Sequence, residues 1–244
     1  MSGEIVTRTQ AEPVFSTRIA CSAQDLRAAQ RLRYDVFVAE LGGDGPLVDH
    51  AARLEKDQFD PHADHLLLLD ETRAENDQIV GVYRVMTAAM AADAGRFYCA
   101  EEYDLTPFYQ SGKNLLELGR SCLHADYRGG PAMQHLWAAL ADYARIHDIE
   151  VLFGVASFHG TDVAALAPAL SLLHDRHLAP DDLRVRSRAH QAMDMLAPDV
   201  IDRRAAMAQI PALIRAYLRL GGFVGDGAYL AAPFNPTAVC LILD

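Results

Sequence analysis

Hydrophobic residues change their period several times along this chain, and each change marks an element. Val14–Ala20 reads as a first strand. Ser22 followed by Asp25 is a capping box with Asp in place of Glu, and it opens a helix to about Glu40. Within it Leu26, Ala29, Leu32, Val36 and Ala39 recur at helical spacing, and Gly42-Gly43 stops it. HLLLLD (His65–Asp70) and IVGVYRVM (Ile79–Met86) are two strands joined by the polar ETRAENDQ, a hairpin in outline. An irregular region with GRFYCAEEYDL and Pro107 separates them from a further strand, Leu115–Leu123.

Beyond that strand, the spacing predicts a helix from about Met133 to His147 that buries Leu136, Leu140, Tyr143 and Trp137. Glu150–Phe158 is mostly apolar, the pattern of a strand covered on both faces. Thr161-Asp162 caps another helix, bent or broken at Pro168. Residues 176–208 show no clear period. Ile210–Leu220 is an amphipathic helix with a proline near its start and Gly221 after its end. FVGDGAYL and AVCLILD are two last strands on either side of APFNPT. The mixed order predicts one α/β domain over residues 14–244, with the polar residues 1–13 as a flexible N-terminal segment.

Composition narrows the function more than the fold. The formal charge of −11 argues against nucleic acid as a partner, because that surface needs a basic face. The charge is uneven: residues 176–219 hold 8 Arg against 5 Asp, so DRHLAPDDLRVRSRAH is the one stretch suited to an acidic partner. A solvated face of long side chains is the alternative. No secretory signal is visible, and apolar runs such as Leu66–Leu69 are too short to span a bilayer. Cys21, Cys99, Cys122 and Cys240 have no metal-ligand spacing, which suits a reducing cytoplasm. Cys122 is expected to be packed away and inert.

The stretch ELGRSCLHADYRGG (Glu117–Gly130) carries the candidate chemistry. An apolar strand holds Glu117 and Arg120 and then runs into an Arg-Gly-Gly turn before a helix. Together with RLRYDVF, DQFD and GVYR, it resembles the acyl-carrier-protein-dependent branch of the Gcn5-related N-acyltransferase superfamily. Within that branch the chain is most similar to the ornithine N-alpha-acyltransferases that make lyso-ornithine lipid. LFGVASFHGTD, LLHDRHLAP, LRVRSRA, YLRLGGFVGDGAY and FNPTAVCLIL extend the likeness from about Arg31 to Leu243. The acyl-homoserine-lactone synthases share the first half of the pattern: Arg33 and Phe37, Asp57 and Asp60, Arg84, then Glu117 and Arg120. The tryptophan that follows the phenylalanine in those synthases is absent from AELGGDGPLVDH.

The resemblance implies a Gcn5-related N-acyltransferase fold, a mixed central sheet flanked by helices. Its fourth and fifth strands, here Leu115–Leu123 and Glu150–Phe158, would splay to admit a pantetheine arm. The turn after the fourth strand, Arg128-Gly129-Gly130, would hold the donor's phosphate, with Ser157 also at the acyl donor. Pro131 and Met133 depart from the usual glycine-rich turn, which suits the single phosphate of acyl-carrier protein better than a pyrophosphate. A helix-capping turn without ligand is the alternative reading.

The implied reaction moves a 3-hydroxylated fatty acyl chain from acyl-carrier protein to the α-amine of L-ornithine. Glu117 is the expected base, burial raising its pKa; Asp60 is the second catalytic candidate. A buried ion pair of Glu117 with Arg84 or Arg33 is the structural alternative, and a bulge would be needed to bring Arg120 to the same face. Asp57 with Asp60 would hold the side-chain ammonium, and Arg33, Arg84 or Arg120 the substrate carboxylate. Without the resemblance, DQFDPHADH reads as a charged loop. Phe97, Tyr98, Phe108, Phe153 and Phe158 are expected to line the acyl groove, and Arg184, Arg186 and Arg188 to dock the acidic carrier. The lipid product implies a cytoplasmic enzyme working at the inner face of the membrane. No cofactor is implied beyond the carrier's phosphopantetheine thioester, which is a co-substrate. His65, His124, His159, His174 and His177 lack a third ligand at suitable spacing, so no metal is expected. Ser121 and Ser157 lack a nucleophile-elbow setting. The alternatives are an acyl-homoserine-lactone synthase consuming S-adenosylmethionine, or a non-catalytic acyl-carrier or lipid-binding module.

Overall fold

The alternating segment at the start of the chain forms an edge strand, β1 (Phe15–Ile19), of a sheet that the rest of the chain builds across. The computed structural model describes residues 12–158, 160, 162–230 and 237–244. Residues 1–11 of the expected N-terminal segment, His159, Thr161 and most of the APFNPT connection lie outside that range.

Ser22 caps α1 (Ala23–Arg33) by accepting from the Asp25 N–H at 3.1 Å. The α-helix is shorter than the periodicity predicts, because the chain continues as π-helical turns over Tyr34–Glu40. The wider turn changes the phase of the side chains. Val36 stays buried, Ala39 is exposed, and Phe37 and Val38 face the cavity described below.

The hairpin β2 (Asp64–Asp70) and β3 (Ile79–Thr87) follows. Next come α2 (Ala88–Asp93), a 3-10 turn at Tyr98–Glu101, β4 (Tyr103–Asp104) and α3 (Thr106–Ser111). After these lie β5 (Leu115–Leu123), α4 (Ala132–Ile146), β6 (Val151–Phe158) and α5 (Val163–His177). The α5 helix passes through Pro168 unbroken. Asp162 caps it, accepting from Ala165 N–H at 3.1 Å. The unassigned stretch forms β7 (Arg186–Ser187) and α6 (Arg203–Gln209). The chain ends with α7 (Ala212–Arg219), β8 (Phe223–Val224), β9 (Tyr229–Leu230) and β10 (Thr237–Leu243).

The main sheet runs in the order β1-β2-β3-β5-β6-β10-β8, with β9 also on β10, while β4 and β7 pair separately. Among the described residues, only the β5–β6 pair within it is parallel; the other strand pairs are antiparallel. One face packs Tyr83, Leu116, Leu118 and Leu123 against Leu136 and Leu140 of α4 and Ile214 and Tyr217 of α7. The other packs Leu67, Leu69, Val82 and Cys122 against α1, and Met86 and Phe153 against Phe97 and Phe108. Cys122 is buried and free, and burial pushes its thiol up to about 12.

Candidate active site

The parallel pairing between β5 and β6 lasts three residues. Leu115 faces Val151, Leu116 faces Leu152 and Glu117 faces Phe153, and beyond that the two strands part. Gly154 stands at the fork, where a Cβ would come 2.1 Å from the Leu118 carbonyl oxygen, so only glycine allows this approach. Past it, β5 keeps its bonds to β3 and β6 keeps its bonds to β10, leaving the two facing edges without strand partners. A cavity of about 380 Å³ fills the gap, and Leu118–Ser121 and Leu152–Ser157 are among the residues lining it.

A bulge in β5 decides what faces this gap. The register with β3 slips between Val82 and Arg84, and Arg120 takes a left-handed φ of 51°. The extra residue puts Arg120 on the Glu117 face, as the alternation rule required for the two to meet, and turns Ser121 to the opposite face beside Tyr83. A second, smaller cavity of about 50 Å³ is lined by Arg84, Tyr98, Glu117 and Arg120.

Glu117 is buried, and its carboxylate accepts from the backbone N–H of Tyr98 at 2.8 Å and of Cys99 at 2.7 Å. These two bonds hold the carboxylate at the start of the Tyr98–Glu101 turn. They replace the expected alternative, since its hydrogen bonds go to backbone and not to Arg33 or Arg84. A carboxylate has about four acceptor positions, so the cavity side keeps capacity.

The three arginines of the pattern meet three acids instead of open space. Arg33 is fully buried, donating to Glu55 at 2.5 Å and to Asp60 at 2.7 Å. Arg84 donates to Asp57 at 2.6 Å and to Asp60 at 3.1 Å, under the rings of Phe59 and Tyr98. Arg120 reaches Glu55 at 3.1 Å and Asp57 at 2.9 Å, with its guanidinium 4.8 Å from the Tyr98 ring. Gln30 adds a further donor to Asp60 at 2.9 Å.

Two expectations change here. Asp60 is 3% exposed with both oxygens taken, so it does not reach a substrate or accept a proton from one. Burial alone would push its carboxyl up, but the Arg33 guanidinium and the Arg84 charge hold it down at about 2. Asp57 is likewise held below its usual range by Arg84 and Arg120 against the effect of burial. Both acids position arginines and leave no open pair of carboxylates for an ammonium. Arg33, sealed among them, is also out of a substrate's reach. Arg120 is different: it lines both cavities and keeps part of its surface open.

Glu102 is the residue that sequence reasoning missed. It closes the turn whose first N–H groups hold Glu117, and its Oε2 is buried without a partner. Burial raises its pKa to about 7; the attraction of Arg120 opposes the shift, and the charges of Glu117 and Glu101 add to it. Nothing in EEYD marks it, because desolvation depends on what the fold places above the side chain. Glu55 was missed for the same reason.

The aromatic residues expected to line an acyl groove are divided between the cavities and the core. Phe153 lines the large cavity and Tyr98 the small one. Phe97, Phe108 and Phe158 are core, the first two packed on Phe153 with ring centroids 5.1 and 4.7 Å away. The apolar lining comes instead from Phe37, Val38, Val48, Leu118, Leu152, Leu213 and Leu241. Ser157 lines this cavity as well.

At the Arg128-Gly129-Gly130 turn, Gly129 takes a φ of 77° and Pro131 stands at the N-cap of α4, with no side-chain cap. Arg128 turns back, donating to the Leu123 carbonyl at 3.1 Å and pairing with Glu40. Arg184, Arg186 and Arg188 alternate outward along an extended segment while Leu183, Val185 and Ser187 point in. Asp181 and Asp226 partly neutralise the first two, and Arg188 donates to the Ala100 carbonyl at 2.9 Å.

Comparison with known proteins joins this geometry to a chemistry. Residues 32–138 match the acetyltransferase (GNAT) domain family. The chain is 60% identical over 232 residues to an L-ornithine N(alpha)-acyltransferase of Rhodobacter capsulatus, covering 94% of this chain and 90% of that protein. The protein of the same name from Brucella abortus is 42% identical over 235 residues, covering 94% and 84%. Among solved structures, the N-acyl amino acid synthase FeeM superposes with a TM-score of 0.51 at 14% identity, over 95% of this chain and 91% of that one. The CoA-dependent acyl-homoserine lactone synthase BjaI gives 0.51 at 15% identity, over 91% and 77%. These two likenesses speak to the fold alone.

Proposed function

The chain belongs to the L-ornithine N(alpha)-acyltransferase family, and from that premise we propose how its cleft joins an acyl thioester to the α-amine of L-ornithine. The observation that carries the reading is the fork between β5 and β6, with a cavity in it and Glu117 at its closed end. An extended pantetheine arm would pair with the unpartnered strand edges, and the fatty chain would lie among the apolar residues of the large cavity.

Charge supports a cationic acceptor. Arg33, Arg84 and Arg120 are matched by Glu55, Asp57 and Asp60, so Glu117 and Glu102, the latter with its pKa raised by burial, are left as excess acid. Ornithine carries two amines and one carboxylate, a net positive charge that this excess favours. Arg120 is placed to take the substrate carboxylate through a charge-assisted bond. Glu117, directly or through a water, takes the proton as the α-amine attacks the thioester carbonyl. Backbone N–H groups at the fork would steady the oxyanion, and as the C–S bond breaks the departing thiolate takes up the proton that Glu117 removed from the amine and leaves as the thiol.

For the donor, the reading is acyl-carrier protein, its phosphate at the turn before α4 and its acidic surface on Arg184, Arg186 and Arg188. The 3-hydroxylated acyl chain and a lyso-ornithine lipid product complete it. No helix among the described residues is long and apolar enough to cross a membrane, so contact with the inner leaflet would run through the product. Purified protein offered L-ornithine with acyl-carrier-protein and coenzyme A thioesters side by side, with products read by mass spectrometry, tests the reading. Acyl-ornithine formed faster from the carrier thioester is expected, and a clear coenzyme A preference removes the carrier assignment. Glu117→Gln should lower kcat by about 10²- to 10⁴-fold with ligand binding kept. An unchanged rate would sink Glu117 as the base.

A further inference from the structure

The proton balance of the proposed reaction leaves one proton without a receiver. An α-amino group titrates at about 7.7–8.0 in model peptides, so at neutral pH most of the substrate arrives as the ammonium. While the C–N bond forms and the C–S bond breaks, its nitrogen gives up two protons. One ends on the sulfur. The other must leave before attack, and Glu117 cannot keep it and still act as base for the second.

Glu102 stands next in line from Glu117. The turn gives the N–H groups of Tyr98 and Cys99 to Glu117, and the Glu102 N–H returns to the Cys99 carbonyl at 3.0 Å. Residues three apart in a 3-10 turn stand one above the other, so Glu102 lies over the residue that holds Glu117. Arg188 braces the turn, its N–H donating to the Glu102 carbonyl at 2.8 Å and its Nε to the Ala100 carbonyl at 2.9 Å. The other charged and titratable groups around this carboxyl are Tyr98, Glu101 and Tyr103 on its own segment, Glu117 and Arg120 on β5, and Tyr229 on β9. Arg120 is committed to Glu55 and Asp57, and Arg96 to Glu101, so among the described residues no cation pairs with Glu102. Its Oε2 is sealed without a partner, while the residue as a whole is only half-buried and keeps a way to solvent. Burial raises the carboxyl to about 7, where a group both accepts and releases a proton readily at neutral pH.

We propose that Glu102 is a proton-relay residue, receiving through Glu117 the first proton shed by the substrate's α-ammonium and releasing it to solvent. The inference rests on the reading of Glu117 as the base given above. Glu117 is then ionised again when attack releases the second proton, which it hands to the sulfur. In sum, ammonium and thioester become amide, thiol and one proton in water. Glu102 acts through Glu117 and does not touch the reacting carbonyl.

The test is the pH profile of kcat/KM for L-ornithine at a fixed donor thioester, in the wild type, Glu102→Gln and Glu102→Asp, each confirmed folded by circular dichroism. Wild-type values should rise through about pH 7, as Glu102 becomes able to accept, and then level off. In Glu102→Gln the limb should move up to the titration of the free α-amine. The loss is then about tenfold at pH 7 and closes above about pH 9, where the amine arrives neutral. Glu102→Asp keeps a carboxyl and should regain most of the rate at pH 7. A loss equal at every pH would leave Glu102 a structural residue or an attractor of cations and overturn the relay, as would an unchanged profile. A wild type that yields no acyl-ornithine at any pH would overturn the ornithine reading, and the relay with it.

Discussion

Asp60 and Glu102 are both carboxylates withdrawn from water in one fold, yet they sit at opposite ends of the acid scale. Asp60 is the more buried, and Arg33, Arg84 and Gln30 meet its oxygens, so it stays ionised with a pKa of about 2. Glu102 has a sealed oxygen that nothing meets and two acidic neighbours, so its pKa rises to about 7. Burial by itself does not make a base; burial without a matching cation does. The same contrast separates the two jobs in the cleft, with one set of acids fixing arginines and another free to exchange protons.

The comparison breaks most severely if Asp60 loses its partner. Arg33→Ala leaves the buried Asp60 and Glu55 sharing only Arg84 and Arg120 with Asp57, one cation short, and should cost about 3–5 kcal/mol of stability by chemical denaturation. If the loss is under about 1 kcal/mol, the cluster is not the matched network described here. In any variant that still folds, the Asp60 carboxyl should titrate upward, towards the behaviour of Glu102.

Glu102 sharpens the contrast from the other side. Its folded pKa is above the ordinary 4.5, so the native state holds a proton that the unfolded chain has already released. The stability this contributes is fully present below about pH 4.5 and is lost as pH rises to about 7, by at most roughly 3 kcal/mol. Glu102→Gln should flatten that part of the stability profile and leave the protein more stable than the wild type at pH 8. A profile identical to the wild type's would mean that Glu102 ionises freely. The smallest effect belongs to a charge that is neither buried nor unmatched. Arg128→Met should raise the apparent KM for a carrier-bound donor about threefold to tenfold, with the KM for ornithine unchanged. No change in donor KM would leave the turn before α4 as a helix cap only.

Much of the site can be read along the chain, because its residues lie in short segments with strong local patterns. Leu115–Leu123 emerges as β5 over the same residues as the apolar run, and the resemblance picked out Glu117 and Arg120 within it. Asp57, Asp60, Arg33 and Arg84 were also picked out, and the structure does bring them together. Their partners were not legible. An arginine at a given spacing looks the same whether its fork ends on a substrate or on Glu55, and only the packing of α1, the Asp57 loop and β3 decides between the two.

The residues themselves determined the element order, the mixed sheet and the family, since hydrophobic period, caps and motif order are local properties of the chain. The tertiary structure alone decided where β5 leaves β6, that a bulge carries Arg120 to the side of Glu117, and which carboxylates are neutralised. Strand pairing and desolvation both depend on groups distant in sequence. The same short motif can therefore become a structural ion pair or a proton acceptor according to what the fold places beside it.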